Sequence, residues 1–205
     1  MSENQNVNLV RFNIQNAKYA ISNVIKDFGT STKMSLETDS STKVIYGDGK
    51  IICTLVNERG KNAVLTLNNI CDDYEIAMGR KVMTSAGLAD IKQNKVVEHA
   101  IYFEVCNLTK TAGGVTKTTI AKTWLFGCNS TSRPSESYDQ TTTDINESSF
   151  ELSFTVNGIN LKNTEGTGNY VDDDGNELIV LQVTKVPGDN GYDDFEKTVP
   201  LPQMQ

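Results

Sequence analysis

The stretch that decides the fold lies between residues 97 and 156 and contains three apolar runs: VEHAIYFEVCNL (97–108), TTIAKTWLFGC (118–128) and FELSFTV (150–156). In the third run, apolar residues at 150, 152, 154 and 156 alternate with polar ones. Side chains at every second position of a strand share a face, so this spacing indicates a strand with one buried face. The three runs predict neighbouring strands of a large sheet.

The connections between these runs differ in kind. Gly113 and Gly114 predict a tight hairpin tip between the first two runs, because glycine adopts positive φ without a Cβ clash. Residues 129–149 are almost all polar and predict a long loop. Loops of this length inside a compact domain are uncommon and usually functional.

The rest of the chain predicts further strands and one helix. Ile70, Tyr74 and Met78 share one helical face, so a helix is expected over about 70–80, with Asn69 as its cap. Turns are expected at 39–41, 47–49 and 57–60, the last closing a hairpin between 50–56 and 61–67. Further strands are expected at 16–25, 33–38, 43–46 and 178–185, the last central in the sheet because it is apolar on both faces. Residues 84–95 predict irregular structure with one short strand. The expected fold class is mainly β, a sandwich or barrel with one flanking helix.

Composition predicts a single domain over 1–205, with a flexible N-terminal arm over about 1–12. The net charge is −7, and all of it lies in the acidic C-terminal segment, about 165–205, which has nine acidic and two basic residues. An acidic chain without a Lys/Arg cluster is poorly suited to grip a phosphate backbone. We expect no secretory signal and no membrane span, since the start lacks an apolar region and no apolar run approaches the length of a bilayer.

The sequence predicts no enzyme, and therefore no catalytic, cofactor-binding or metal-binding residues. Its single histidine, His99, has the strand parity of Val97 and Ile101, which indicates a structural role. Residues 29–33 and 47–50 contain glycine and lysine but lack the spacing of a phosphate loop. The cysteines lack zinc-site spacing. We expect reduced, buried thiols at all four of them: Cys53, Cys71, Cys106 and Cys128.

Residues 172–177, DDDGNE, leave one alternative open. Three carboxylates, a glycine and a glutamate could supply oxygen ligands to calcium. An Asp-Gly turn that leads into a strand explains the same residues with fewer assumptions.

Short motifs in a fixed order give the chain a resemblance to a known family. Those motifs are MSLE (34–37), IYGD (45–48), AVLTLNN (63–69), CDDYEIAMG (71–79), AIYF (100–103), LFGC (125–128), SRPSES (132–137), NESSFELSFT (146–155), YDDF (192–195) and Val199-Pro200. In their order and spacing the chain resembles the major tail tube proteins of long-tailed bacteriophages that infect Gram-positive bacteria. The cysteines and the acidic residues of the C-terminal segment do not match.

The resemblance implies a β-sandwich or barrel with one helix, six copies to a ring and rings stacked head to tail into a hollow tube. Each subunit of such proteins lends hairpin strands to a continuous inner barrel. The resemblance also implies a place in the virion tail after synthesis in the host cytoplasm. Its implied partners are further copies of the chain, a tape measure protein in the lumen, and tail terminator and distal tail proteins. The resemblance further implies that viral DNA passes through the tube without specific binding and that no membrane is involved.

The sequence favours particular segments for these roles. Residues 50–67, with part of 97–128, are expected to line the lumen or form the ring. The loop 129–149 and the N-terminal arm are expected to contact the next ring. A variant without 129–149 is expected to fold but not to polymerise.

Three rival functions stay open at this point. A sandwich-type module that binds a receptor or carbohydrate would need exposed aromatic residues, and Trp124 has the parity of the core. A small metal-dependent hydrolase would need more carboxylates than Asp172–174 supply. A related secretion-system tube protein would share the fold and the assembly.

Overall fold

The structure, a computed structural model, describes residues 8–92, 95–110, 116–136 and 149–204. Over these residues the chain is mainly β, which confirms the predicted fold class. No helix in this part of the chain is long and apolar enough to cross a membrane.

Thirteen strands and one helix make up the described part. The helix is α1 (Asp72–Ala77). The strands are β1 (Asn8–Ile21), β2 (Val24–Asp27), β3 (Ser31–Gly47), β4 (Lys50–Leu67), β5 (Lys81–Thr84), β6 (Gly87–Asp90), β7 (His99–Lys110), β8 (Thr116–Ser130), β9 (Ser135–Glu136), β10 (Phe150–Val156), β11 (Ile159–Asn160), β12 (Ile179–Val180) and β13 (Gln182–Lys185).

Nine strands form one antiparallel sheet. Seven lie in the order β2–β1–β7–β8–β10–β4–β3, while β13 pairs with β8 and β9 with β10. β1 also contacts β3, so the sheet curls until its two ends approach each other. The result is barrel-like, with a seam between β1 and β3.

The inner face of the curled sheet carries the larger core. Ile101 of β7 and Leu125 of β8 pack there with Leu65 of β4, and all three are fully buried. Tyr74 and Met78, from α1 and the residue that follows it, complete this inner cluster. The helix therefore closes part of the inner face.

The outer face of β7 and β8 carries a second core. Tyr102 and Trp124 lie side by side with ring centroids 5.2 Å apart, and Phe126 and Phe195 join them. Phe195 comes from the C-terminal segment, whose backbone accepts a hydrogen bond of 2.8 Å from the Trp124 indole Nε1. This outer cluster is where the end of the chain is held against the sheet.

Polar contacts fasten the same segment to β1. The Glu196 carboxylate accepts hydrogen bonds from Lys18 at 3.1 Å and from the Asn16 amide at 2.9 Å. These hydrogen bonds lower the pKa of Glu196 below its ordinary value. The acidic C-terminal segment is thus ordered over its described residues.

The helix is shorter than predicted. It begins at Asp72 after Cys71, whose side chain makes no capping hydrogen bond, and Asn69 lies outside it. Gly79 ends it with φ of 70°. The predicted inward face is correct for Tyr74 and Met78, which are buried.

The strands β3 and β4 are much longer than predicted. The expected turn at 39–41 lies inside β3, and the expected hairpin at 57–60 lies inside β4. Both predictions are wrong because the two segments pair with each other from end to end, and Arg59 bulges out of the ladder. Gly60 has φ of 140°, and a Cβ there would collide with the carbonyl oxygen of Val156. The predicted turn at 47–49 is present between the two strands.

Three other segments also differ from the expectation. β1 begins at Asn8, so residues 8–12 of the predicted flexible N-terminal segment pair with β7. The predicted strand 16–25 is split by a turn at Ser22 and Asn23, both with positive φ. Residues 81–90 form a hairpin of two short strands, of which β6 is the one short strand expected within 84–95, while its pairing with β5 was not expected.

The segment 178–185 is not a central strand. It is divided into β12 and β13, and Ile179 is 60% exposed. Val180 and Val183 pack on the outer cluster, whereas Leu181 packs against the inner one. The prediction fails because, among the described strands, β12 pairs only with β11 and β13 only with β8, so neither is flanked by strands on both sides.

Candidate assembly surface

The outer ends of β3 and β4 form a two-stranded projection, residues 39–60, which we call the arm. Within the described residues, β4 pairs with β10 only from Lys61 to Leu67, and β3 pairs only with β4. The arm strands therefore pair with each other alone. Asp48 and Gly49 close the arm with positive φ at both positions, as a tight hairpin turn requires.

The arm exposes many apolar side chains to solvent. More than half of each of five apolar side chains is accessible, namely Tyr46, Ile51, Ile52, Leu55 and Val56. Monomeric proteins rarely expose contiguous apolar patches, and such patches usually mark a contact with another molecule. The arm is thus the strongest candidate for a contact surface.

Apolar residues occupy both faces of the arm. Val56 lies opposite Thr42 on one face, and Leu55 lies opposite Lys43 on the other. Directly opposed residues of an antiparallel pair share a face, so each face carries its own apolar side chains. A single covering layer would bury only one of them.

An isolated two-stranded hairpin is at best marginally stable in water. Its unpaired edges also offer N–H and C=O groups to any strand that comes alongside. Pairing with neighbouring arms would satisfy both edges at once, and packing against them would cover the apolar faces. The arm has the chemistry of a strand pair that is completed by other subunits.

The charge of the arm is balanced. Residues 39–60 contain three acidic and three basic side chains: Asp39, Asp48, Glu58, Lys43, Lys50 and Arg59. A surface built from such arms has no net attraction for a phosphate backbone. The charge of the arm therefore favours neither an acidic nor a basic partner.

A second group of strand ends extends from β1, β7 and β8. Val10 is 55% exposed and Phe12 is 44% exposed on β1. β7 and β8 stay paired as far as Lys110 and Thr116. The predicted tip at Gly113 and Gly114 lies outside the described residues.

The seam between β1 and β3 contains a cavity of about 610 Å³, which we call the seam cavity. Its floor includes Ile14, Phe103 and Val105, so it continues the inner core outward. Arg11 and Lys33 also line it. The cavity is of the size that binds small molecules or inserted side chains.

His99 is part of the core rather than a reactive group. It is buried, its Nδ1 lies 2.9 Å from the Val97 carbonyl oxygen, and its Nε2 lies 3.2 Å from the Tyr74 hydroxyl. Neutral imidazole fits both partners when Nδ1–H donates to Val97 and Nε2 accepts from Tyr74. Burial lowers the pKa of His99 below its ordinary value, and the charge of Arg80 adds to this effect.

This depressed pKa predicts a loss of stability in mild acid. The unfolded chain takes up a proton near the ordinary histidine pKa of about 6.5, whereas folded His99 does so only at lower pH. The free energy of unfolding should therefore fall as the pH drops below about 6.5, by at most about 1.4 kcal/mol per pH unit from this group. Urea titrations of the wild type and of His99→Gln at several pH values measure the difference. Parallel curves for the two proteins would contradict it.

Glu75 and Arg80 form a buried ion pair near the start of the long polar loop. Arg80 Nη1 lies 3.2 Å from Glu75 Oε1, and Arg80 Nη2 donates to Ser130 Oγ at 2.6 Å. Burial raises the pKa of Glu75 above its ordinary value, although the Arg80 charge opposes this. The pair is structural, because α1 is tied through it to β8.

The predicted loop 129–149 is only partly a loop. Asn129 and Ser130 belong to β8 and pair with β10, and Ser135 and Glu136 form β9. Residues 137–148 lie outside the described residues. A deletion of all of 129–149 would remove Ser130 from the Arg80 contact, so it is no longer expected to leave the fold intact.

The acidic residues at 172–177 form a tight turn. Asp172 Oδ1 accepts hydrogen bonds from the backbone N–H of Asp174 at 3.0 Å and of Asn176 at 2.8 Å. These bonds lower the pKa of Asp172 below its ordinary value. Within the described residues, no group of three or more His, Cys, Asp or Glu side chains is arranged to hold a metal ion.

The four cysteines are free thiols, but they are not all buried. Cys106 and Cys128 are buried, and burial raises the pKa of Cys128 to about 12. Cys71 is half-buried, whereas Cys53 is exposed on the arm. The prediction of four buried thiols is therefore wrong for Cys53, which no described element covers, and only partly correct for Cys71.

The sequence favours residues 50–67 for assembly, and the structure places residues 50–60 of them in the arm. That prediction missed the partner strand 39–47, whose polar residues resemble a turn. The predicted core position of Trp124 is confirmed, since this side chain is fully buried. No protein-family model matches the chain, and no curated protein matches it either.

Proposed function

We propose that this chain is a structural virion protein, a subunit of a phage tail tube. Six copies would form a ring, and stacked rings would form the hollow conduit through which DNA enters the host. The observation that carries the proposal is the arm, a hairpin that is apolar on both faces and whose two edges pair with no other described strand. The order of the family-like motifs in the sequence gives the proposal its specific form.

The physics of the arm supports a closed ring. When hairpins from neighbouring copies join edge to edge around a circle, every edge finds a partner and no open edge is left. One face of each arm would then rest on the subunit bodies, and the other would face the lumen. The apolar side chains of the first face would be covered there, and the equal numbers of acidic and basic residues in 39–60 would leave the lumen face without net attraction for DNA.

The remaining surfaces fit the same proposal. The strand ends at Val10 and Phe12 offer a second exposed apolar surface for a neighbouring copy or the next ring. Tape measure, terminator and distal tail proteins would meet the lumen and the two ends of the tube. The rival binding module gains no support from Trp124, since a buried indole cannot stack on a sugar.

Electron microscopy of the purified protein tests the proposal. We expect rings or tubes in negative stain, and sedimentation species much larger than one subunit. A chain that sediments as a monomer at every concentration would overturn it.

Thiol labelling gives a second, independent test. Cys53 on the arm should react rapidly with a maleimide in dissociated subunits and slowly in assembled tubes, because neighbouring arms would cover it. Half-buried Cys71 is the internal reference, since its place beside α1 lies away from the arm. Mass spectrometry of the two labelled peptides gives the ratio. Equal labelling of Cys53 in both states would contradict the role of the arm.

A further inference from the structure

The seam cavity has the chemistry of a docking site. β1 pairs with β7 along one edge and with β2 only from Lys18 onward, while β3 pairs only with β4. Within the described residues, the facing edges of β1 and β3 therefore have no strand between them. The cavity opens at this gap.

The lining of the cavity selects an acidic occupant with apolar flanks. Ile14, Met34 and Phe103 give it an apolar floor. Two exposed cations, Arg11 and Lys33, stand among the lining residues, and no Asp or Glu is among the described residues that line it. An anionic group beside an apolar side chain would neutralise these cations and cover the floor.

One surface of the same chain has the complementary character. The turn at residues 171–179 carries Asp173 and Asp174 on its exposed side, between the exposed apolar side chains of Val171 and Ile179. Hydrogen bonds to Asp172 hold this turn in one shape, so little conformational entropy is lost when it docks. None of its residues lines the seam cavity of its own subunit.

We propose that the acidic turn, residues 171–179, of one copy docks in the seam cavity of the next copy. The turn and the cavity are different surfaces, so the contact is head to tail and repeats from copy to copy. This inference rests on the proposed function and adds to it the contact that orients each copy relative to the next. Electrostatic pairing of this kind steers association and fixes register.

Charge reversal on each side tests the contact. Arg11→Glu with Lys33→Glu changes the cavity, and Asp173→Lys with Asp174→Lys changes the turn without touching Asp172. Each double variant should raise the critical concentration for assembly by about tenfold or more, because like charges would face each other across the contact. Matched controls reverse exposed charges elsewhere: Lys92→Glu with Lys95→Glu, and Glu151→Lys with Glu165→Lys. These controls should assemble as the wild type does.

Complementation separates this contact from a general effect of charge. The four-substitution chain restores opposite charges across the contact, so it should assemble within about threefold of the wild-type concentration. An equal mixture of the two double variants should also assemble when the two alternate. The unchanged turn of one variant then meets the unchanged cavity of the other, and the two reversed surfaces also carry opposite charges. Light scattering and negative stain measure both.

The outcomes distinguish this inference from the proposed function. If the wild type forms tubes and both double variants form them at the same concentration, the docking contact is wrong and the tube function stands. If only the cavity variant fails, the occupant is another acidic partner and the assigned turn is wrong. If the wild type forms no rings or tubes, the proposed function and this contact both fail.

Discussion

Replacing Leu55 by glutamate and Val56 by lysine should abolish rings and tubes while the subunit body stays folded. The two substitutions place one charge on each face of the arm and leave the net charge unchanged. Both side chains are more than half exposed in the subunit, so the body does not depend on them. The carboxylate introduced by Leu55→Glu would face Lys43 across the hairpin, which keeps the arm itself paired.

The size of this effect follows from the area that assembly would cover. Full burial of an exposed Val or Leu side chain contributes about 1.5–3 kcal/mol. Leu55 and Val56 are 53% and 64% exposed, so the one that packs on the subunit bodies would contribute about 1–2 kcal/mol when it becomes covered. A charge in its place loses this gain and adds a desolvation cost of several kcal/mol, so association should weaken by about 100-fold or more at each contact. Assembly at micromolar concentration should disappear.

A matched control uses the same two changes at positions away from the arm. Val24→Lys with Leu201→Glu alters side chains that are 59% and 57% exposed. This variant should form tubes. Sedimentation velocity and negative stain measure assembly, and circular dichroism with a thermal melt verifies the fold. Tubes from the arm variant at the wild-type concentration would exclude the arm as the ring-forming surface.

Trp124→Ala should remove about 3–5 kcal/mol from the free energy of unfolding, the usual cost when a large buried aromatic side chain is truncated. Trp124 is fully buried at the centre of the outer cluster, against Tyr102 and Phe126. The substitution also removes the indole donor to the Phe195 carbonyl. For a domain whose total stability is about 5–15 kcal/mol, such a loss is a large fraction.

The same substitution should release the C-terminal segment. Trypsin should cleave after Lys185 and Lys197 faster in Trp124→Ala than in the wild type, since Phe195 would lose the indole ring against which it packs. Trp124→Phe retains an aromatic ring and should cost only about 1–3 kcal/mol, chiefly the unpaired Phe195 carbonyl. Urea unfolding followed by circular dichroism ranks the three proteins. A loss below about 1 kcal/mol for Trp124→Ala would show that the outer cluster does not fasten the chain end.

The sequence predicts the centre of the fold closely and its periphery poorly. The three opening runs correspond to β7, β8 and β10, and the last has the predicted bounds, 150–156. These strands lie in the core, where burial forces apolar side chains into alternation. The alternation of apolar residues in these strands therefore predicts their structure directly.

The arm shows why the rest could not be predicted. Among the described residues, no strand other than β3 and β4 pairs with residues 39–59, so burial does not impose alternation on their sequence. The polar residues at 39–41 and the glycine at position 60 then have the local signature of turns, while a ladder of long-range pairs holds them extended. The seam cavity depends on the curl of the whole sheet, which no local pattern records.

The position of Phe195 has a consequence for the order of synthesis. A ribosome delivers the strands of the sheet long before it delivers residue 195, yet the outer face around Trp124 is complete only when Phe195 reaches it. Nascent chains fold from their N-terminal part onward, so this face stays open to water until residue 195 has left the ribosome. Chains that stop before residue 195 would retain an uncovered aromatic surface that chaperones and proteases recognise. Only chains that extend past residue 195 would bury this surface.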